Sequence, residues 1–511
     1  MQKIYSSREI AEMEAELVAE RTDWEDASEL MAHKGIAVCN RLKQDFYAAR
    51  RAVIFAGPNE KGALAIRVGT SLVGMQYDVE VLLLNPKGTL PDEVAHERDA
   101  FMEVSSHLTE VTTNAFALPE LAPQDLLIDG IQGREMMPSL NNVTKYLNQI
   151  KAIKVALEIP SGMSEEVEGP IDYTKILKAD VTYTFYSPKL LLLLPENEPY
   201  VGQWRVLYPS FYSAKSTSNA PYMYFGTQEM EQVLPLRKRF SNKYDYGKDL
   251  LIAGAKGMMG AAVLAGRAAM ASGAGHLTVH VPSGQAAILH TSLPEALVRE
   301  DGSEESFSST SYSLTDYTTI AVGPGLGRST ESLLGLEQLL GGYTQPMVLD
   351  ADALYLLSQE EGRLLEMVPK GSILTPHVGE FDRLFGPSRN SYERLELARR
   401  EAARLGIYIL LKGAYTATAT PMGQVVFTMS GNPGLATAGT GDVLTGIILA
   451  LLGQKVHQLE ACVAGAFIHG FAAESYSSDY CELSLTAGRL IEYLPMAFKR
   501  FTSNSSNALF R

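Results

Sequence analysis

The sequence predicts an α/β protein of two doubly wound domains, and three observations carry that prediction. Short β-rich runs alternate with helical patterns in two separate series. A stretch without periodicity divides the series, and the 511-residue length exceeds one ordinary core, at roughly 100–250 residues per domain.

In the first series, "RAVIFAG" from Arg51, "DVEVLLL" from Asp78, "DLLID" from Asp125, "KVALEI" from Lys154 and "DVTYTF" from Asp180 read as strands of a parallel sheet. "YPSFYSAKSTSNAPY" from Tyr208 is rich in Ser, Pro and Tyr and reads as a linker. It sets the boundary near Ser216, giving domains 1–215 and 216–511. The second series comprises "DLLIAG" from Asp249, "HLTVHV" from His276, "TIAVG" from Thr319, "PMVLD" from Pro346, "GSILT" from Gly371, "IYILL" from Ile407 and "QVVFT" from Gln424. The polar end "FTSNSSNALFR" is expected to fray.

Composition narrows the function. Hydrophobic residues at 46% and charged residues at 20% are those of a folded protein with a sizeable core. A formal net charge of -15 repels phosphate backbones and anionic membranes, so small soluble ligands are expected rather than nucleic acid or lipid. Cys39, Cys462 and Cys481 are too few and too scattered for a disulfide framework or a zinc site, and are read as buried free thiols in a reducing compartment. "MQKIYSSREIAEMEAEL" lacks the apolar core of a signal peptide, and "LLLLL" from Leu190 is too short to span a bilayer, so a cytoplasmic location is expected.

The chemically suggestive stretches of the second half follow its strands, where open α/β sheets bind ligands. "AGAKGMMGAA" from Ala253 and "GPGLG" from Gly323 are each as compatible with a tight turn as with close approach to a ligand. In "TPHVGEF" from Thr375, His377 reads first as structural, with Glu380 near a helix start. In "LKGAYT" from Leu411, Lys412 suits a phosphate but is also an ordinary surface lysine. "DADAL" from Asp350 offers acids that would order a metal or, more simply, cap a helix.

"NPGLATAGTGDVLTGI" from Asn432 is the sharpest stretch. An apolar helix follows "GTGD", so the N–H groups of Gly439, Thr440 and Gly441 would open towards an anion at a positive helix end. Asp442 is then either the N-cap or a base, because an acid beside an anion hole is useful only for taking a proton from an attacking hydroxyl.

In this order the motifs resemble the bifunctional NAD(P)H-hydrate repair enzymes, and the resemblance spans nearly the whole chain. It implies a Rossmann-like NAD(P)H-hydrate epimerase domain followed by a ribokinase-like dehydratase domain. There, ADP with magnesium would phosphorylate the hydroxyl of the S-hydrate of NADH or NADPH, and loss of phosphate would restore the ring, leaving AMP. Phosphate leaves where hydroxide does not. Carried over, Asp442 is the catalytic base, also capping its helix, with Gly439, Thr440 and Gly441 as anion hole. The hydrate-binding positions fall on Ala261, Gly325, His377 and Asp442, and the ADP-binding positions on Lys412, Gly413, Ala414, Tyr415, Thr416 and Gly441. The resemblance also suggests a homo-oligomer, and no residue cluster identifies a magnesium seat.

The first-half motifs "LLIDGIQG" from Leu126 and "EIPSGM" from Glu158 resemble those of the epimerase, with departures. Glu158 stands where the family has a catalytic, substrate-binding Asp, which displaces the carboxylate by about 1 Å. The family's "GTG", whose first position is hydrate-binding Gly133 here, has become "GRE". The long glycine-rich loop is shortened to "GPNEKGALA". The family's potassium ligands correspond to Asn59, Asp129 and Ser161, beside which the ammonium of Lys61 would replace or expel the cation. Epimerisation is therefore expected to be weak or lost. Two alternatives stand beside this reading: a ribokinase-like kinase of a small vitamin alcohol, and a first half that only binds or regulates.

Overall fold

The computed structural model describes residues 1–21, 27–112, 119–132, 141–165, 172–209 and 221–502. The expected boundary near Ser216, the position Gly133 and the tail from 503 lie outside the described residues. The chain forms two compact units, residues 3–220 and residues 1–2 with 221–511.

Apolar β-branched runs buried on both faces make the smaller unit's sheet parallel throughout. Its order is Leu108–Val111, Asp78–Leu84, Arg51–Ala56, Leu126–Gly130, Ile153–Leu157, Val181–Phe185 and Gln203–Leu207. The chain starts mid-sheet, runs to one edge and returns, so the order reverses between Arg51–Ala56 and Leu126–Gly130. A crevice opens at the carboxyl ends of strands at such a reversal. The two edge strands, Leu108–Val111 and Gln203–Leu207, are absent from the sequence reading because half-exposed edges carry no continuous apolar run.

In the larger unit the consecutive parallel strands are Tyr408–Leu411, Ile373–Leu374, Val348–Leu349, Thr319–Val322, Asp249–Ile252, Leu277–Val281 and Leu297–Glu300. Beyond Tyr408–Leu411, the short strand Ala417–Ala419 is antiparallel to both neighbours, the second being Val425–Thr428. Tyr222–Phe225, which the sequence reading did not give as a strand and whose first residue it placed in the linker, pairs with Val425–Thr428. The order reverses between Asp249–Ile252 and Thr319–Val322.

The helix Thr440–Gly453 is buried along most of its length and packs on the helix Met259–Ala271. Contact is backbone-close: a β-carbon at Gly446 would lie 2.1 Å from the Ala265 carbonyl oxygen. This packing fixes where the helix begins. Cys39 and Cys462 are buried as expected, whereas Cys481 is exposed. No helix among the described residues is long and apolar enough to cross a membrane.

Candidate functional site

Five adjacent parallel strands of the larger unit deliver the singled-out turns to one end of the sheet. Asp249–Ile252 and Thr319–Val322 lead into the two turns at the order reversal, and the Gly254 N–H donates to the Pro324 carbonyl at 2.8 Å. Gly325, at φ 59°, packs so closely that a β-carbon there would meet the Met258 carbonyl oxygen at 2.8 Å and the Ala261 β-carbon at 3.0 Å. Ala261 and Gly325 thus form one wall. Gly323 is wedged against the next strand end, 1.8 Å from the Asp350 carbonyl oxygen by the same measure.

Beyond them stands a charged row. Lys412 Nζ lies 3.0 Å from Asp350 Oδ1 and 3.9 Å from Glu380 Oε2, with its side chain 22% exposed. The other Asp350 oxygen accepts from Thr445 Oγ1 at 2.6 Å, tying the row to the helix Thr440–Gly453. A β-carbon at Gly441 would lie 3.6 Å from Lys412 Nζ, so the ammonium sits over the opening of that helix. Asp352 holds the Gly327 N–H at 3.0 Å and Arg328 Nε at 2.6 Å. Neither Asp350 nor Asp352 caps the helix Asp352–Leu357, whose N-cap is Ala351 at φ 50°.

Electrostatics distinguish Asp442 from the other acids. Burial, then the Asp350 and Asp352 carboxylates, push its proton affinity up to about 7, against the opposing pull of Lys412. For Lys412, burial works against the charge, but Asp350 and Glu380 outweigh it and raise the ammonium above its ordinary value. A carboxylate poised near neutrality beside a firmly charged cation is suited to accept a proton while an anion is held.

Asp442 does not cap its helix. Gly439, at φ 89°, is the N-cap, and Asp442 falls in the first turn. Only glycine meets that position without strain, since a β-carbon would also lie 2.7 Å from Leu264 Cδ1. The expected anion hole narrows too. The Thr440 N–H reaches back to the Thr437 carbonyl at 3.4 Å, and its hydroxyl bonds the Leu435 and Thr437 carbonyls at 2.8 and 2.9 Å. Gly439 and Gly441 remain as the candidate donors.

His377 stands at the expected strand end as the N-cap of Val378–Phe385. Its Nδ1 accepts from Gly379 and Glu380 N–H groups at 3.0 and 3.3 Å, while Glu380 accepts the His377 N–H at 2.9 Å. Nδ1 thus serves as the acceptor, while Nε2, on a side chain 61% exposed, lies 3.6 Å from Glu380 Oε1. Gly413 and Ala414 form an exposed turn after Lys412, closed by Thr416 Oγ1 on the Gly413 carbonyl at 3.3 Å, with Tyr415 half-buried between. The sequence reading missed His469, the single histidine of the helix Gln458–Asp479. Its Nε2 donates to the Thr440 carbonyl at 2.8 Å, and burial lowers its pKa to about 4.

The smaller unit has its own cavity of about 380 Å³ at its order reversal, lined by Glu14, Lys34, Asn59, Lys61, Glu158 and Lys189. Glu158 adopts φ 62°, unusual for a side-chain-bearing residue, and its carboxylate lies 3.5 Å from Lys34 Nζ. Lys34 also pairs with Glu14 at 2.9 Å. Asp129 and Ser161 do come together, with Ser161 Oγ donating to Asp129 Oδ1 at 2.5 Å. The expected potassium position is nevertheless taken by Lys61 Nζ, 3.0 Å from Asp129 Oδ2 and 3.1 Å from Ser161 Oγ. Asn59 is not a ligand there. Its Oδ1 caps the helix Glu60–Gly74 by accepting the Gly62 N–H at 3.1 Å, and its Nδ2 donates to the Ile131 carbonyl at 2.8 Å.

Residues 250–496 match the family model described as NAD(P)H-hydrate dehydratase, and residues 27–191 match that of the YjeF-related protein N-terminus. The Bifunctional NAD(P)H-hydrate repair enzyme Nnr of Moorella thermoacetica is 30% identical over 507 residues, covering 92% of each chain. Its Escherichia coli namesake is 30% identical over 472 residues, covering 91% of this chain and 88% of its own. Among solved structures, the ADP/ATP-dependent NAD(P)H-hydrate dehydratase from Bacillus subtilis, co-crystallized with ATP/Mg2+, is 33% identical. It covers 55% of this chain and 98% of its own, at a TM-score of 0.49.

Proposed function

The chain belongs to the family of bifunctional NAD(P)H-hydrate repair enzymes, and from that premise we propose that its larger unit dehydrates the S-hydrate of NADH or NADPH at the expense of ADP, with Asp442 as the base. The repair reading prevails over the vitamin-kinase alternative, since both halves match the repair family.

The observation that carries the assignment is the Asp442 carboxyl, pushed up to about 7 at the mouth of a helix facing Lys412 and Gly441. Asp442 takes the proton of the substrate hydroxyl as its oxygen bonds to the β-phosphorus of ADP and the bond to the AMP oxygen breaks. Gly439, Gly441 and Lys412 hold the charge that develops on the transferring group. The C–O bond to phosphate then breaks under push from the ring nitrogen lone pair, and loss of a proton from the adjacent carbon restores the dihydropyridine. Ala261, Gly325 and His377 would line the hydrate, and Gly413, Ala414, Tyr415 and Thr416 the nucleotide. Magnesium would supply charge neutralisation on the ADP phosphates. Among the described residues no group of three or more His, Cys, Asp or Glu is arranged to hold a metal, so the ion would ride on the nucleotide.

The test is to mix protein, S-hydrate, ADP and magnesium and follow the return of reduced-nicotinamide absorbance. Asp442→Asn should bind both substrates yet lose turnover by about 10²–10⁴-fold. Turnover within a few-fold of the parent removes Asp442 as base.

For the smaller unit the proposal is weak or absent epimerisation, supported by Glu158 held beside Lys34 on a left-handed backbone. Given R-hydrate, ADP and magnesium, the protein should form NADH no faster than R-hydrate epimerises in buffer; a rate comparable to that on S-hydrate overturns this. A homo-oligomer is part of the same proposal, to be read by light scattering.

A further inference from the structure

In the smaller unit, Asp129 near the end of the strand Leu126–Gly130 and the loop after Ile153–Leu157 aim three oxygen atoms at one buried point. Lys61 Nζ occupies it, 3.0 Å from Asp129 Oδ2, 2.7 Å from the Ile159 carbonyl and 3.1 Å from Ser161 Oγ. An ammonium has three N–H donors, and each has one acceptor here. The cage is rigid without the lysine. Asp129 also accepts from the Ser161 N–H at 2.8 Å and the Ile131 N–H at 3.1 Å, and Ser161 Oγ accepts from the Gln132 N–H at 2.9 Å. Lys61 is 3% exposed and Asp129 fully buried.

One carboxylate and two neutral oxygens carry a single negative charge, which matches a single positive one. The donor set is too poor in carboxylates for a divalent ion. It suits a large monovalent cation, and ammonium and potassium are similar in radius. The potassium implied by the family therefore does not fit the residues present, because its position is filled from within the chain.

We propose that Lys61 is a tethered cation, which keeps the monovalent-cation position of the smaller unit permanently filled and makes that unit indifferent to potassium, and that truncating it opens a latent potassium or ammonium site. The reason is entropic as well as electrostatic. A free ion occupies its cage according to its concentration, whereas the side chain is always at hand. Removing it leaves the buried Asp129 charge uncompensated, a strongly destabilising change unless another cation enters. The inference does not depend on whether the unit epimerises.

The larger unit holds neither of the chain's two tryptophans, and Trp204 lies in the strand Gln203–Leu207 of the smaller one, so Trp204 emission follows this unit in the full-length protein. Thermal unfolding is recorded in potassium, ammonium or lithium chloride, with choline chloride keeping ionic strength constant. The parent midpoint should be the same in all four. For Lys61→Ala it should fall by roughly 10 °C in choline and recover saturably in potassium or ammonium but not in lithium. For Lys61→Met, whose apolar chain fills the space, it should fall without recovery. A parent midpoint that rises saturably with potassium overturns the tethered cation. A Lys61→Ala chain that responds to neither cation, or cannot be folded in either, overturns the latent site.

Discussion

Asp442 and Asp350 belong to the same sheet end but have opposite tasks, and each is read in a different pH experiment. Burial and the Asp350 charge hold the Asp442 proton up to about 7, so kcat/KM should fall about tenfold per pH unit below that point. Asp350→Asn removes that charge and the closest partner of Lys412, leaving the ammonium to Glu380 and Asp442. Both effects lower the Asp442 pKa, and the acid limb of the profile should move down by about one unit. An unmoved limb would mean that another group sets it. Asp442 also bears on stability. Its folded pKa is raised above the ordinary aspartate value of 3.8, so its stabilising contribution is complete below about pH 4 and lost as pH rises through about 7. Asp442→Asn should therefore match the parent near pH 4 and exceed it by about 2–4 kcal/mol at pH 8 in urea unfolding, while being inactive.

Among the elements, the helix Thr440–Gly453 does most to position the site. Glycine at 446 lets it lie against the Ala265 backbone, Thr445 ties it to Asp350, and His469 holds its first carbonyl. Gly446→Ala should overpack this contact, lowering stability by about 1–3 kcal/mol. It should also lower kcat more than nucleotide affinity, because the displaced helix carries Gly439, Gly441 and Asp442 together. Wild-type kcat in a destabilised Gly446→Ala chain would separate packing from catalysis. The sequence located this helix and its glycine turn but misjudged the cap, because Asp is a favoured N-cap and the left-handed turn at Gly439 is visible only in three dimensions.

At the scale of the molecule, a second buried acid shapes the pH response of the larger unit. Asp249 is fully buried at the amino end of its strand, with no hydrogen-bond partner among the described residues on either carboxylate oxygen, and burial pushes its pKa up to about 8. Its folded pKa is also raised, so its contribution too is present in acid and lost as pH rises through about 8. The neutral, buried His469 opposes this below its ordinary pKa of 6.5, so the unfolding free energy of the larger unit should decline between roughly pH 6.5 and pH 8, and Asp249→Asn should flatten that decline. A stability curve rising over that interval would contradict the burial of both acids as charged groups in alkali.

The sequence by itself determined two α/β units, most of their central strands, and the set of turns from Ala253 to Asp442 that follow those strands, because apolar runs and glycine placement are local properties. It also identified Lys61 as a cation beside the Asp129 position. Edge strands escaped it because they lack a buried face. Only the tertiary structure decided which acid faces which base. Lys412 meets Asp350 across 62 positions and Lys61 meets Asp129 across 68, and His377 proves to bond its own helix start. Proton affinity and cation occupancy depend on distances through space, which residue types and their spacing along the chain do not fix.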